Sequence, residues 1–248
     1  MNTPALRTAF ILGAGLGLRL RPLTENCPKP LLPLGGRPLI THALEHLRQV
    51  GVERFIINTH HCPEAYRQAF PENRWRGIPI VLRHEPVLLD TGGGLKNIED
   101  LLDDDERLIV YNGDILTDLP LAELTAAHPG TPAGERAEAT LALRSAGPLC
   151  NVALDDMGRV CDLRQRLGIP GRRMYQFAGI SVIERSFFIH LEAGRVESVV
   201  EAWLRVIREG KGGVRGVVID GGVWHDLGTV EEYERLCRRL PASSEDDS

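Results

Sequence analysis

The chain has 248 residues, 43% hydrophobic and 25% charged, with a formal net charge of −5, enough for one large α/β domain or two small ones of ordinary globular composition. The negative balance excludes a general nucleic-acid binder, which needs a basic footprint, and the five scattered cysteines (Cys27, Cys62, Cys150, Cys161, Cys237) include no C-x-x-C pair, so neither a disulfide framework nor a zinc site is indicated. No stretch approaches the roughly 20 apolar residues of a membrane span and Met1–Arg7 is too short and polar for a signal peptide, so a cytoplasmic protein with reduced thiols is expected.

Thr8–Leu12 reads as the first, central strand. Gly13, Ala14, Gly15 and Gly17 follow, so it ends in a loop whose successive N–H groups can close around phosphate oxygens. Arg19 and Lys29 then arrive on a segment stiffened by Pro22, Pro28, Pro30 and Pro33. Proline fixes φ, which places Lys29 on a pre-shaped extended stretch. Leu39, Ile40, Ala43, Leu44, Leu47 and Val50 have helical spacing, closed by Gly51. Glu53–Asn58 is a second buried strand, and His60-His61-Cys62-Pro63 opens a short helix to about Phe70. Two histidines and a cysteine in a row invite a metal, but adjacent residues rarely converge on one ion and no ligand cluster follows at zinc spacing, so a structural or surface role is expected. Ile78–Leu82 is the third strand. This strand–helix–strand rhythm implies parallel βαβ units and a doubly wound sheet, with its site at the carboxyl ends of the strands.

Gly92, Gly93 and Gly94 stand before an apolar helix (Leu95, Ile98, Leu101, Leu102) and allow very close approach of a flat ligand. Arg107–Tyr111 is another buried strand and runs into Asn112-Gly113-Asp114. An aspartate just past a parallel strand is presented into the crevice with room for a metal, although Gly-Asp is also an ordinary turn. Leu119–Gly134 reads as helix plus surface loop and Ala139–Arg144 as strand. Val152–Leu154 and Arg159–Leu163 flank a hairpin turn at Asp155–Gly158. Arg164–Arg173 is basic and loop-like, Gln176–Ile183 a strand, and Val196–Glu209 an amphipathic helix ended by Gly210. Val214–Asp220 is a strand. Thr229 reads as the N-cap of the last helix, with Glu231 and Glu232 favoured by its dipole, and Pro241–Ser248 as a disordered acidic tail.

Two familiar phosphate loops fail on spacing. The P-loop needs Gly-Lys-Ser/Thr after its glycines, and here Gly17 is followed by Leu18 and Arg19. The dinucleotide fingerprint needs G-x-G-x-x-G running into a helix and an acidic residue about 20 positions on, and no Asp or Glu lies between Asn26 and His42. The run Phe10–Leu34 instead resembles the entry motif of the sugar-1-phosphate nucleotidyltransferases, L-A-A-G-x-G-x-R-[LM]-x-P-L-T followed by P-K-P-L. Gly15, Gly17, Arg19, Pro22, Leu23, Thr24, Pro28, Lys29, Pro30 and Leu31 match. Gly13 replaces the first alanine, a change the backbone is expected to tolerate. Asp90-Thr91-Gly92-Gly93-Gly94 resembles the family's base-reading loop, most of all in the N-acetylmuramate-1-phosphate uridylyltransferase branch, with guanylyltransferases carrying similar loops. Trp224-His225-Asp226-Leu227-Gly228-Thr229 resembles its W-x-D-[VL]-G-T.

The resemblance implies a Rossmann-like, GT-A-like α/β fold: a doubly wound, mixed, mainly parallel sheet in a three-layer αβα arrangement, as one domain over residues 1–240. It implies Arg19 and Lys29 as catalytic, with Leu12, Ala14, Gly15, Gly92 and Gly113 against the nucleotide and Gly179 beside the sugar. Asp114 and Asp226 would hold Mg²⁺. The implied substrates are a nucleoside triphosphate and a sugar 1-phosphate, with UTP and N-acetylmuramate 1-phosphate favoured and GTP with a mannose-type sugar as the alternative. His225 reads as a neighbour, not a participant. The family's Glu-Lys-Pro, whose lysine holds the sugar phosphate, is absent; Arg164, Arg166, Arg172 or Arg173 could replace it, or form a solvated charged face. No hexapeptide repeat follows residue 229, so an appended acetyltransferase domain is not expected. Two rival classes are a non-catalytic relative, which typically loses the arginine, lysine or aspartates kept here, and a nucleotide-cofactor dehydrogenase, disfavoured by the glycine spacing. No nucleic-acid or membrane partner is expected, and oligomeric state is not readable.

Overall fold

The computed structural model describes residues 6–128, 137–210 and 213–240; the expected tail and the end of the expected loop before Gly134 lie outside these. β1 (Thr8–Leu12) runs through the middle of the sheet, with Ala9, Phe10 and Ile11 fully buried. A strand covered on both faces is a continuous apolar run, which is how this one reads. The chain then makes two 3₁₀ turns, Leu18–Leu20 and Lys29–Leu31, before pairing β2 (Pro33–Leu34) with β3 (Arg37–Pro38). Lys29 is therefore turned, not extended as its prolines suggest: the Leu31 N–H donates to the Pro28 carbonyl at 2.8 Å. Pro30 does not oppose the turn, because the missing N–H falls in a first turn where it would have no partner.

α1 (Leu39–Arg48), β4 (Arg54–Thr59), α2 (Pro63–Ala69), β5 (Arg74–Trp75) and β6 (Ile78–His84) follow. Next come α3 (Asp90–Lys96), β7 (Arg107–Asn112), β8 (Ile115–Thr117) and α4 (Leu121–Ala127). The second half supplies β9 (Ala137–Arg144), β10 (Cys150–Leu154), β11 (Val160–Leu163), β12 (Arg173–Glu184), α5 (Val199–Glu209), β13 (Gly213–Val218), β14 (Trp224–Asp226) and α6 (Val230–Arg239). α5 starts at Val199 because Ser198 caps it, its hydroxyl accepting the Val200 N–H. Thr229 caps α6 in the same way, through the Glu232 N–H.

Ten strands form one mixed sheet in the order β11-β10-β12-β7-β1-β4-β6-β5, with β9 pairing β12 and β13 pairing β9. The central four, β7-β1-β4-β6, are parallel, and β12 joins antiparallel to β7. The register of β12 against β9 breaks between Phe177 and Ser181, where Gly179 takes a φ of 80°. That is bulge geometry, and glycine adopts it without a Cβ penalty.

Ala9, Ile11, Phe55, Ile57 and Tyr111 pack with Ala43, Leu44 and Leu47 of α1 on one face. Phe10, Ile56 and Val110 pack with Leu95 of α3 and Trp203 and Leu204 of α5 on the other. These faces are the three αβα layers. A third cluster joins Leu20, Leu32 and Leu34 to Tyr233 and Leu236 of α6, so the last helix holds the proline-rich segment in place. No helix among the described residues is long and apolar enough to cross a membrane.

Candidate active site

The carboxyl ends of β1, β4 and β7 open into a cleft of about 620 Å³, where the crevice of an open parallel sheet is expected. Leu12, Ala14, Gly15, Arg19, Lys29, Gly113 and Asp114 line it. Its glycine loop is held from below. The Gly13 N–H donates to Asn58 Oδ1 at 2.7 Å, and the Gly13 carbonyl accepts from the Tyr66 hydroxyl at 2.9 Å. Gly17, at φ 61°, begins the first 3₁₀ turn, and its carbonyl accepts from the Thr24 hydroxyl at 2.8 Å. A Cβ on Gly15 would meet nothing within 4 Å, so the space beside it is open. On Gly113 a Cβ would stand 2.5 Å from the Leu12 carbonyl oxygen, so only glycine lets β7 end this close to β1.

The charged groups come from distant parts of the chain. Lys29, 7% exposed, places Nζ 2.7 Å from Asp114 Oδ2. β8 and β14 pair antiparallel, with Asp226 opposite Ile115, and the Leu227 N–H donates to the Asp114 carbonyl at 3.1 Å. This short ladder sets Asp226 beside Asp114. Burial, and then the Asp114 charge, push the Asp226 carboxyl above its ordinary value, while Lys29 and Arg19 pull it back. The other three charged side chains singled out in the sequence thus act electrostatically on Asp226. Arg19 lies against the β14–α6 turn, since a Cβ on Gly228 would stand 3.0 Å from its Nη1.

Two neighbouring carboxylates that repel each other form an all-oxygen donor set suited to a hard cation. Among the described residues no three His, Cys, Asp or Glu side chains converge on one point. A cation here would complete its shell with water and phosphate oxygens, as Mg²⁺ commonly does. The pair fits that ion.

The remaining candidates fall elsewhere. Gly92 is buried in α3 and does not line the cleft; its N–H donates to the Glu197 carbonyl at 2.8 Å. Asp90 and Thr91 line the cleft in its place. Gly179 lines a second cavity of about 300 Å³, which shares Leu12, Asp90, Thr91 and Asn112 with the cleft. His225 bonds to Glu232 at 3.2 Å and faces α6. His60 and His61 bond to the carbonyls of Glu85 and Thr24, each at 2.8 Å, a structural role as their sequence suggests. Sequence reading missed Asn58. It is the last residue but one of β4, lines the cleft, and passes its amide N–H to Glu85 Oε1 at 2.7 Å, while Glu85 Oε2 accepts the Leu89 N–H at 3.0 Å. Glu85 is 0% exposed; an acidic residue just past a predicted strand, beside the glycine triplet, was the available signal.

Residues 8–146 match the nucleotidyl transferase family. A mannose-1-phosphate guanylyltransferase of Mycobacterium tuberculosis is 33% identical over 231 residues, 92% of this chain and 62% of that protein. The chain therefore spans less than two thirds of that relative. An N-acetylmuramate alpha-1-phosphate uridylyltransferase of Neisseria meningitidis is 32% identical over 223 residues, 90% of this chain and 93% of the relative. Among solved structures, the inositol-1-phosphate CTP transferase of T. maritima superposes with a TM-score of 0.74 at 18% identity, covering 97% of this chain and 99% of the other, a likeness of fold. With more than half its length matched, this chain belongs to the nucleotidyl transferase family.

Proposed function

We propose that this chain transfers a nucleotidyl group from a nucleoside triphosphate to a sugar 1-phosphate, releasing pyrophosphate, with UTP and N-acetylmuramate 1-phosphate as the substrates. The observation that carries the reading is that Arg19, Lys29 and Asp114 line one glycine-lined cleft, with Asp226 set beside Asp114 by the β8–β14 ladder. The reaction joins a sugar-phosphate oxygen to the α-phosphorus and breaks the bond to the β-phosphate. The attacking group is already an anion near neutral pH, so no general base is needed. What must be overcome is repulsion between two polyanions and charge building on the leaving group, so positioning and neutralisation carry the catalysis.

Leu12, Ala14, Gly15 and Gly113 would seat the nucleotide, with the open space beside Gly15 admitting a phosphate. Gly92 would act through the packing of α3, which presents Asp90 and Thr91, and Gly179 would border the sugar. Arg19 would meet the leaving phosphates with its planar fork. Lys29, already desolvated against Asp114, would place a point charge between the α-phosphate and the incoming sugar phosphate. Asp114 and Asp226 would hold Mg²⁺, which when bound offsets charge on the triphosphate. The five free cysteines support a reducing, cytoplasmic setting.

The acidic residue before Thr91-Gly92-Gly93-Gly94 and the match over 93% of the Neisseria relative favour the uridylyl reading. The 33% identity to a guanylyltransferase favours GTP with mannose 1-phosphate as the second reading. Retention of all four charged groups argues against a non-catalytic subunit. The test is pyrophosphate release with Mg²⁺ across the four NTPs, crossed with a panel of sugar 1-phosphates. Release is expected to be highest with UTP and N-acetylmuramate 1-phosphate, to vanish with EDTA, and to fall by about a hundredfold or more in Lys29→Ala and Asp114→Ala, the scale of losing one preorganised charge at a transition state. No release from any pair sinks the reading, and near-normal turnover in both variants sinks the assigned roles.

A further inference from the structure

The His60-His61-Cys62 run after β4 lines neither the cleft nor the second cavity, yet its side chains reach segments that do. His60 Nδ1 bonds to the Glu85 carbonyl, in the stretch that leads to Asp90, and His61 Nε2 bonds to the Thr24 carbonyl, each at 2.8 Å. Cys62 adds a contact to the same proline-rich segment, its Sγ lying 3.9 Å from the Glu25 carbonyl oxygen. A carbonyl only accepts, so the His61 ring carries its proton on Nε2 and donates.

From Thr24 the contacts lead to Arg19. Thr24 is 0% exposed, and its hydroxyl donates to the Gly17 carbonyl at 2.8 Å. That carbonyl also accepts the Leu20 N–H at 2.9 Å, closing the 3₁₀ turn, Leu18–Leu20, on which Arg19 is the middle residue. The loop lies directly on Thr24: a Cβ on Gly17 would stand 2.9 Å from its Cγ2. Among the described residues the Arg19 guanidinium has neither a hydrogen-bond nor an ion-pair partner. Its aim is therefore set by the turn that carries it and by the surface at Gly228 that it lies against.

His61 stands two residues past Thr59, the last residue of β4, a strand in the parallel centre of the sheet. The contacts thus run from a buried strand through His61, Thr24 and Gly17 to the cation that would meet the leaving phosphates. Groups braced from regular elements are held more precisely than groups on loops. Precision matters at this position, because a displacement of about 1 Å can cost a factor of about a hundred in rate.

We propose that His61 is a positioning residue for the transfer: it holds the Thr24 carbonyl, and through Thr24 the turn that aims Arg19 at the leaving phosphates. The inference rests on the nucleotidyltransferase reading above. His61→Gln keeps an amide N–H near the place of Nε2, whereas the shorter amide of His61→Asn stops short of the carbonyl; both are polar and suit a half-buried site. Pyrophosphate release gives kcat in the wild-type background and in Arg19→Lys, which keeps the charge without the planar fork. The reverse reaction gives the KM for pyrophosphate and for the nucleotide-sugar. In His61→Asn kcat is expected to fall on the order of 10- to 100-fold, and the KM for pyrophosphate to rise while that for the nucleotide-sugar holds. His61→Gln should recover most of both. In the Arg19→Lys background His61→Asn should cost less than about twofold more, because a residue that acts through another is not additive with it. A loss by the same factor in both backgrounds, an unaltered kcat or pyrophosphate KM in His61→Asn, or an equal rise in both KM values overturns the positioning role and leaves the nucleotidyltransferase reading standing. A wild type that turns over no substrate pair overturns both.

Discussion

A β-carbon on Gly13 would stand 2.7 Å from the Asn58 carbonyl oxygen and 2.8 Å from the Tyr66 hydroxyl. Both contacts are far inside van der Waals range, and Tyr66 is fully buried. Gly13→Ala is therefore expected to destabilise the fold by about 1–3 kcal/mol, the usual cost of overpacking. In a Tyr66→Phe background the added methyl meets one oxygen fewer, so the two changes together should cost less than their sum. Thermal melts of the two single variants and the double variant check this, and additivity within about 0.5 kcal/mol would count against it. The sequence showed only that glycine stands where the resembling run has alanine. The reason lies about fifty residues away, in a tyrosine whose hydroxyl fills the space of the absent methyl. Lys29 was legible for the opposite reason: a lysine between two prolines is conspicuous locally, and only its partner, Asp114, needed the fold.

Between elements, the contact most worth testing is the one that ties β4 to the start of α3. Glu85 accepts from Asn58 with one oxygen and from the Leu89 N–H with the other, and Asn58 in turn holds the Gly13 N–H. One buried carboxylate thus connects the glycine loop after β1 to the segment that presents Asp90. Glu85→Ala strands the buried Asn58 amide, at about 1–3 kcal/mol, and the partly buried Leu89 N–H, which water can reach at lower cost. Because both ends of the relay border the cleft, the KM for the triphosphate should rise more than that for the sugar phosphate. Glu85→Gln keeps one acceptor oxygen and should fall between. Equal rises in both KM values would mean general loosening and count against a relay. This region was only half legible. The glycine triplet announced itself, but read as the entry to a helix because glycine is a poor helix former. The glycines lie inside α3, where packing overrides propensity: Cβ atoms on Gly92 and Gly93 would collide with the carbonyls of Glu197 and Arg195. Nothing local to residues 92–94 specifies that contact. The β8–β14 ladder escaped notice for a related reason. Two three-residue strands about a hundred positions apart leave no periodic trace.

Taken whole, the molecule is a sheet covered on both faces, and its parallel centre was readable from alternating apolar runs and amphipathic helices. Of the antiparallel wing the β10–β11 hairpin was readable from its turn residues, but the pairing around β12 was not, because β12 changes partners along its length at a bulge that a single glycine marks. The layers are also joined by polar groups, and one of these makes stability depend on pH. His46 on α1 is 9% exposed; its ring contacts the Tyr111 hydroxyl of β7 at 3.2 Å and the Leu119 carbonyl at 2.7 Å. Burial lowers its pKa, against the Leu119 carbonyl and the Asp118 charge, which act to raise it. Burial lowers His42 on the same helix too. A histidine whose folded pKa is depressed leaves the unfolded chain binding more protons, so its stabilisation is fully present above the unfolded value of about 6.5 and is lost as pH falls through the folded value. The slope reaches at most roughly 1.4 kcal/mol per pH unit for each such group. Glu45 and Glu197, held low by Arg48 and Arg205, act in the same direction but in the carboxylate range, well below this window. Melting temperatures should therefore fall between pH 7 and pH 5.5, before those carboxylates titrate. His46→Gln, which can keep a bond to the Leu119 carbonyl without titrating, should flatten that stretch of the curve while leaving the loss below pH 4.5 in place. A wild-type melting temperature constant from pH 7 to 5.5, or an unaltered slope in the variant, would show that the helix-to-sheet contact through His46 does not carry this dependence.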